Sequence, residues 1–147
     1  MAYFTYDTSV CISRKLDFQN MPQNFLLSAV VMMELMAGDP DESRHKFFRE
    51  VFRQFQKDDL IIVPNADDWL LTAQVFRLLT HARRRSQKGK LQQLPSGAAQ
   101  RLALDVLIAV SARRWKAQVV TENWSDFKAI QRYCNTTIIR AAQFFRA

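Results

Sequence analysis

The sequence predicts an α/β fold built around a parallel sheet. Short apolar segments of strand type alternate with longer helical segments, which is the pattern of βαβ units joined by right-handed crossovers. A composition of 48% apolar and 24% charged residues is typical of a globular protein. A length of 147 residues suffices for one domain with a substantial core. No internal repeat or linker interrupts the pattern, so residues 1–147 are expected to form a single domain.

The first predicted elements each have a local sequence signal. Residues 3–7 (YFTYD) are rich in aromatic and β-branched side chains and predict a strand, after which Ser9 is expected to cap a helix. Residues 26–37 predict a mostly apolar helix that Gly38 ends. The next helix is expected to take Asp39 as its N-cap, because acidic residues follow in its first turn.

Strands and helices continue to alternate through the rest of the chain. Residues 60–64 predict a buried strand that ends at a proline. A long helix is expected over residues 69–85, with Asn65 or Asp67 as its cap. Residues 86–97 contain two of the three glycines and predict a loop. The remaining elements are expected to be a helix, a strand, a short helix and a strand, at residues 98–115, 117–120, 127 onward and 136–139.

Four carboxylates lie either just after predicted strands or within apolar helices. Asp7 and Asp126 follow predicted strands, and open parallel sheets bind their ligands beyond the carboxyl ends of the strands. Glu34 and Asp105 are each the only ionisable residue of a long apolar stretch, where an isolated carboxylate is unfavourable unless it is paired or metal-bound. No His or Cys accompanies the four acids, so they predict an oxygen-rich site for Mg²⁺ or Mn²⁺.

Each of these acids also has a structural alternative. The two that follow strands could simply cap the helices beside them. Glu34 could lie on a narrow solvent-exposed stripe or pair with an arginine such as Arg14. Asp105 could pair with Arg101, one helical turn earlier. The pattern of all four together favours one shared site.

Other features exclude several common chemistries. The three glycines cannot form a GxGxxG loop or a P-loop, and neither histidine has an evident nucleophile partner. Cys11 and Cys134 lie at opposite ends of the sequence and form no zinc or disulfide pattern, which favours a reducing compartment. The first ten residues lack the features of a signal peptide, and the longest apolar run is too short to span a bilayer. We therefore expect a cytoplasmic protein with no membrane partner.

The second half of the chain is strongly basic. Residues 1–68 contain 7 basic and 11 acidic residues, whereas residues 69–147 contain 14 basic and 3 acidic residues. This imbalance predicts a polyanionic partner, and the alternative is a solvated basic face. The candidate RNA-binding residues fall into two clusters: Arg77, Arg83, Arg84, Arg85 and Lys88, and then Arg113, Arg114 and Lys116.

Four segments of the chain, in their order and spacing, resemble the PIN domain, and most closely the VapC-type toxin ribonucleases of type II toxin–antitoxin systems. The segments are YDTSV, SAVVMMELMAG, LDVLIAVSA and VVTENWSDF, and each contains one of the four acids. The similarity extends over residues 3–139. It implies a three-layer α/β/α sandwich with a central parallel sheet, and an endoribonuclease activity that depends on Mg²⁺ or Mn²⁺.

The resemblance also implies residue roles and partners. The catalytic and metal-binding residues would be Asp7, Glu34, Asp105 and Asp126, and the supporting residues would be Ser9, Thr121 and Asn123. RNA would be the substrate, and the protein partners would be a cognate antitoxin and a second copy in a homodimer. Two alternatives remain open: a basic RNA-binding module of the same fold that does not cleave, and a DNA nuclease of that fold.

Two residues of the segment VVTENWSDF depart from the family pattern. Glu122 adds a carboxylate that the pattern does not need, and it is expected either to be solvated or to support the site. Trp124 stands where relatives often have a small or polar residue, so it is expected either to stack on a base or to pack locally. Phe127 is expected to anchor this segment in the core.

Overall fold

The computed structural model describes residues 2–85 and 97–146, which form an α/β structure with a central parallel sheet. Within these residues the strands are short and all pair in parallel. They are β1 (Phe4–Tyr6), β2 (Leu27–Ser28), β3 (Ile61–Ile62), β4 (Gln118–Thr121) and β5 (Ile138–Arg140). The predicted fold class is confirmed.

The order of the strands identifies the edge at which a site is expected. One sheet has the order β1-β4-β5, and β2 pairs with β3. A single parallel bridge between Phe4 and Phe25 joins the two parts, so the spatial order is β3-β2-β1-β4-β5. From β1, the chain first adds β2 and β3 on one side and later adds β4 and β5 on the other side. The direction of strand addition therefore reverses at β1, which makes the boundary between β1 and β4 a topological switch point. Asp7 and Glu122 directly follow these two strands.

Helices cover both faces of the sheet. In the described part of the chain they are α1 (Thr8–Ser13), α2 (Ala29–Ala37), α3 (Glu42–Lys57), α4 (Ala66–Arg85), α5 (Ala98–Arg114), α6 (Trp124–Gln131) and α7 (Ala141–Phe144). A short 3₁₀ turn lies between α1 and β2. None of these helices has the combination of length and apolar character that crossing a membrane requires.

The alternation of side chains along β4 explains the two hydrophobic layers. Val119 packs into the cluster formed with α4, α5 and α6, whereas Val120 packs into the cluster formed with α1, α3 and α7. Successive strand residues point to opposite faces, so both faces of the sheet are buried. Phe127 is completely buried in the first cluster, which confirms that it anchors the segment after β4.

One predicted boundary in the first third is wrong. The predicted helix over residues 26–37 begins only at Ala29, because Leu27–Ser28 pairs with Ile61–Ile62 as a strand. Ser28 ends that strand and caps α2 by accepting a hydrogen bond from the Val31 N–H at 3.4 Å. A two-residue strand that continues directly into an apolar helix has no periodicity of its own, and this is why the sequence pattern missed it.

Cap positions also differ from those predicted. Asp7 rather than Ser9 is the N-cap of α1, and Asp41 rather than Asp39 is the N-cap of α3. For α4 the prediction of Asn65 is confirmed, since its Oδ1 accepts from the Asp68 N–H at 2.8 Å. Asp68 Oδ2 in turn accepts from the Asn65 N–H at 3.0 Å, which forms a reciprocal capping box. This helix therefore begins at Ala66, three residues before the predicted start.

Candidate active site

Asp7 lies at the carboxyl end of β1, where it caps α1 and belongs to a hydrogen-bond network. Its Oδ1 accepts from the Val10 N–H at 3.1 Å and from the Ser9 hydroxyl at 2.7 Å. Its Oδ2 accepts from the Thr121 hydroxyl at 2.6 Å. Burial raises the pKa of Asp7, and the hydrogen bonds from Thr121, Ser9 and Val10 act in the opposite direction. The capping explanation is therefore correct, and it coexists with a fixed, buried carboxylate at the sheet edge.

The segment after β4 connects Asp7 to Asp126. The completely buried Thr121 hydroxyl donates to Asp7 and accepts from the Asn123 N–H at 2.8 Å. The Asn123 side-chain amide donates to Asp126 Oδ2 at 3.0 Å. Thr121 and Asn123 thus hold carboxylates of two different elements in one network.

Asp126 lies in the first turn of α6, where it is also paired with a cation from α4. The Arg83 guanidinium donates to Asp126 Oδ1 at 3.0 Å. Arg83 was expected to contact RNA on an open surface, and the structure instead places its guanidinium on one of the four carboxylates. Asp126 is not the N-cap of α6, since Asn123 occupies that position.

Glu34 reaches the same edge from α2. Its Oε1 accepts from the Thr8 hydroxyl at 2.8 Å. Burial raises the pKa of Glu34, the hydrogen bond from Thr8 lowers it, and the nearby Asp7 raises it further. The pairing of Glu34 with Arg14 does not form. Thr8 was not among the predicted residues, although its position next to Asp7 in the segment YDTSV was the available signal.

Asp105, in the middle of α5, has the strongest perturbation of the four. Its pKa is raised to about 7, first by burial and then by the negative charges of Asp7, Glu34 and Asp126. Arg101 lowers that pKa only as the smallest contribution, and no ion pair between them forms. Within residues 2–85 and 97–146, no hydrogen-bond donor reaches the Asp105 carboxylate. Asp105 therefore lies in electrostatic range of the other three predicted acids.

The donor set fits a hard divalent cation in its chemistry, although it is not a preformed cage. Among the described residues, no three His, Cys, Asp or Glu side chains are already gathered as a metal cluster. Coulombic effects on pKa values act over several ångströms, whereas Mg²⁺–oxygen bonds are about 2 Å long, so the two observations are compatible. Four carboxylates, one of them without a donor in the described chain, form the oxygen-only set that Mg²⁺ and Mn²⁺ prefer.

Glu122 has a partner and so is not simply solvated. Its Oε1 accepts from Arg14 Nε at 3.0 Å, and its backbone N–H donates to the Ser9 hydroxyl at 3.1 Å. Ser9 in turn donates to Asp7. Glu122 therefore fixes the end of α1 to the segment after β4, next to the buried carboxylate.

The predicted basic residues are split between two edges of the sheet. Arg77 is exposed on α4, Arg84 and Arg85 belong to the last turn of that helix, and Lys88 lies outside the described residues. The second predicted cluster, Arg113, Arg114 and Lys116, ends α5 just before β4 begins, at the amino-terminal edge of the sheet. Asp7 and the segment with Asp126 follow the carboxyl ends of β1 and β4, so the second cluster lies at the opposite end of β4 from them.

Arg114, at the end of α5, has a structural role. Its Nε donates to the buried Asp68 at 3.0 Å, and its second guanidinium nitrogen donates to the Val63 carbonyl at 2.7 Å. These contacts tie the end of α5 to β3 and to the start of α4. We therefore leave Arg114, with its neighbours Arg113 and Lys116, out of the proposed RNA-binding surface.

A basic residue that the sequence patterns missed lies on the carboxylate side. Arg140 is the register partner of Thr121 at the carboxyl end of β5, and its guanidinium lies 4.5 Å from the ring centre of Trp124. Lys128, one turn further along α6, lies 5.2 Å from the same ring. The signal for Arg140 was its position after the last predicted strand, which was expected to end at residue 139.

Replacing Thr121 with Val is expected to destabilise the protein by about 1–3 kcal/mol, because one oxygen of the buried Asp7 and the partly buried Asn123 N–H lose their partner. Thr121→Ser keeps the hydroxyl and is the matched control, with a smaller loss from the missing methyl group. Urea unfolding of both variants at pH 7.5 measures the difference. If Thr121→Val is no less stable than Thr121→Ser, the hydroxyl does not hold this network.

Fold and site together define a parallel α/β protein with four acids at the topological switch point of its sheet. The sequence matches no protein-family model, and no curated protein is detectably similar to it. The structure is similar to a chain of FitAB bound to the IR36 DNA fragment, with a TM-score of 0.55, 16% identity, and 94% of each chain covered. It is also similar to a chain of DNA-bound VapBC from Salmonella typhimurium, with a TM-score of 0.54, 20% identity, and 96% of this chain and 99% of that chain covered. At these identities, the likeness shows a shared fold over nearly the whole chain.

Proposed function

We propose that this protein is a metal-dependent endoribonuclease and the toxin of a toxin–antitoxin pair. The observation that carries the proposal is the convergence of Asp7, Glu34, Asp105 and Asp126, from four different elements, on one edge of the sheet. Helix capping accounts for Asp7. No structural role in the described part of the chain accounts for Asp105, which is partly buried near three other negative charges. Functional sites commonly concentrate such perturbed groups.

The four carboxylates would hold Mg²⁺ or Mn²⁺ between them. The chemistry that such an ion supplies is positive charge for the phosphate under attack and a lowered pKa for an attacking water. Binding of a cation also removes the repulsion that raises the pKa of Asp105. An RNA strand fits both features of the protein: the metal site would act on a phosphodiester, and the basic second half of the chain would contact the neighbouring phosphates.

The other polar residues of the site position the carboxylates. Thr121 and Ser9 fix the two oxygens of Asp7, Thr8 orients Glu34, and Asn123 holds Asp126. Arg83 neutralises Asp126 from the side of α4. A site held by this many hydrogen bonds keeps its ligands oriented before the substrate arrives, which is the condition for precise phosphate chemistry.

An antitoxin partner is supported by the structural likeness and by exposed apolar surface. The similar solved chains come from assemblies named FitAB and VapBC. Ile12 on α1 is 75% exposed and Met33 on α2 is 52% exposed, and these helices are the ones that contain Thr8 and Glu34. A bound antitoxin segment would cover such side chains beside the acidic site. We also propose a homodimer of the toxin, as the family resemblance implies.

Parallel cleavage assays on three substrates test the proposed activity. Purified protein without antitoxin is incubated with single-stranded RNA, duplex RNA and flap DNA, each with Mg²⁺ or Mn²⁺ and again with EDTA. We expect metal-dependent cuts in RNA and none in flap DNA. Cuts only in flap DNA would make the protein a DNA nuclease, and RNA binding without any cut would make it an RNA-binding module.

A further inference from the structure

Trp124, Arg140 and Lys128 form an exposed cationic group beside the acidic site. Trp124 is partly buried against the core at the start of α6, two residues before Asp126. Arg140 and Lys128 are both exposed, and both lie over its ring, at 4.5 and 5.2 Å. We name these three residues the tryptophan–arginine cluster. It lies at the carboxyl edge of the sheet, because Arg140 is the strand partner of Thr121.

The guanidinium of Arg140 is held in place without being neutralised. Four other arginines, Arg14, Arg44, Arg83 and Arg114, are paired with carboxylates. By contrast, no Asp or Glu of residues 2–85 and 97–146 lies within ion-pair distance of Arg140. A cation–π contact with the indole ring restrains the guanidinium, and its N–H groups can still donate to an oxygen acceptor. Within these described ranges, the Lys128 ammonium is likewise not neutralised, since it donates to the uncharged side-chain oxygen of Gln131 at 3.2 Å.

We propose that the tryptophan–arginine cluster binds a backbone phosphate of the RNA strand next to the scissile phosphate. This inference rests on the proposed ribonuclease function and adds a residue-level account of how the strand is positioned. The planar fork of an arginine matches two phosphate oxygens, and Lys128 adds a second positive charge. The site itself carries four acids, so an RNA strand entering it needs cations immediately beside it. Trp124 is the positioning residue, because it holds Arg140 at this edge.

Salt-dependent binding of short single-stranded RNA tests the assignment. Labelled oligouridylate and oligoadenylate are titrated with the full chain in EDTA at several salt concentrations, so that the measurement does not depend on cleavage. Arg140→Gln is expected to weaken binding of both oligonucleotides about tenfold and to reduce the log–log salt slope by about 0.7, the value for one phosphate contact on a single strand. Trp124→Ala is expected to weaken binding about threefold, and Trp124→Phe less, because phenylalanine keeps an aromatic platform.

Arg132→Gln is the matched control, since it removes one exposed charge at the far end of α6 with no aromatic ring beneath it in the described structure. It should leave the affinity and the slope near those of the wild type. If Arg140→Gln behaves like Arg132→Gln, or weakens binding of only one of the two sequences, the phosphate assignment is overturned. Cleavage of RNA that is independent of Arg140 would reject this inference alone, whereas Arg140-dependent binding by a protein that never cleaves would reject only the nuclease.

Discussion

Replacing Asp7 with Asn is expected to lower RNA cleavage by about a thousandfold or more while leaving the fold intact. The fold should survive because the remaining amide oxygen can still accept from the Val10 N–H and the Ser9 hydroxyl as a helix cap. The new side-chain amide NH2 group faces the Thr121 hydroxyl, which can accept a hydrogen bond through the lone pair that the Asn123 N–H does not use. What is lost is the negative charge at the carboxyl end of β1.

The measurement for Asp7→Asn is single-turnover cleavage with Mg²⁺, accompanied by a thermal melt in EDTA. Asp59→Asn is the control, since Asp59 is exposed and has a φ of 55°, a conformation that asparagine tolerates well. This control should cleave like the wild type. An Asp7→Asn protein that is folded and fully active would refute the assignment of Asp7 to the site.

Replacing Asp105 with Asn is expected to abolish cleavage and, in the absence of metal, to stabilise the protein. The pKa of Asp105 is raised to about 7 by burial and by the three neighbouring carboxylates. Its pKa in the unfolded chain is about 3.9, so the folded state binds its proton more tightly than the unfolded state does. Ionisation of Asp105 at neutral pH therefore destabilises the fold. Asparagine has a similar shape and removes that effect. The gain should be at most about 4 kcal/mol above pH 7, since the two pKa values differ by about three units and each unit corresponds to about 1.4 kcal/mol.

The stability difference between Asp105→Asn and the wild type should depend on pH in a defined direction. Below about pH 4 the Asp105 carboxyl is protonated in both states, so the variant and the wild type should be equally stable with respect to this group. As the pH rises from about 4 to about 7, the wild type loses the stability that the variant keeps. Above pH 7 the difference should stay constant.

Urea unfolding in EDTA at pH 5 and pH 8 measures the stability of wild type and Asp105→Asn. Added Mn²⁺ should then stabilise the wild type more than the variant, because only the wild type has all four carboxylates for the ion. Asp59→Asn should show neither effect. A variant less stable than the wild type at pH 8 in EDTA would mean that the Asp105 carboxylate makes a favourable contact and is not a strained metal ligand.

The placement of the four acids could be inferred from the sequence because each has a local signal. Asp7 and Asp126 follow buried strands, and Glu34 and Asp105 interrupt apolar helices. The parallel topology then brings the ends of β1 and β4 together without further information. The bond from Asn123 to Asp126 follows the short spacing between these two residues in the segment after β4. The bond from Thr121 to Asp7 joins the ends of β4 and β1, which the same parallel pairing brings together.

The remaining contacts depend on elements far apart in the chain, for which one sequence has no local signal. Arg83 meets Asp126, which is 43 residues away, and Arg114 meets Asp68, which is 46 residues away. A series of basic residues on a helix shows only that one face is basic. The sequence therefore places Arg83 and Arg114 among the exposed candidates for RNA binding, although both form ion pairs in the structure. The cation–π contact of Arg140 with Trp124 likewise requires β5 to lie beside β4 in register. Long-range pairing of this kind becomes visible only in the folded structure.

The most direct test of the central claim is the cleavage of a structured RNA pool by purified, antitoxin-free protein. Wild type and Asp105→Asn are incubated with Mg²⁺, with Mn²⁺ and with EDTA, and the cut positions are mapped. The four-carboxylate site predicts discrete cuts by the wild type with either metal, and none in EDTA or in the variant. Cleavage that persists in EDTA, or that is equal in Asp105→Asn, would contradict a metal-dependent ribonuclease built on these acids.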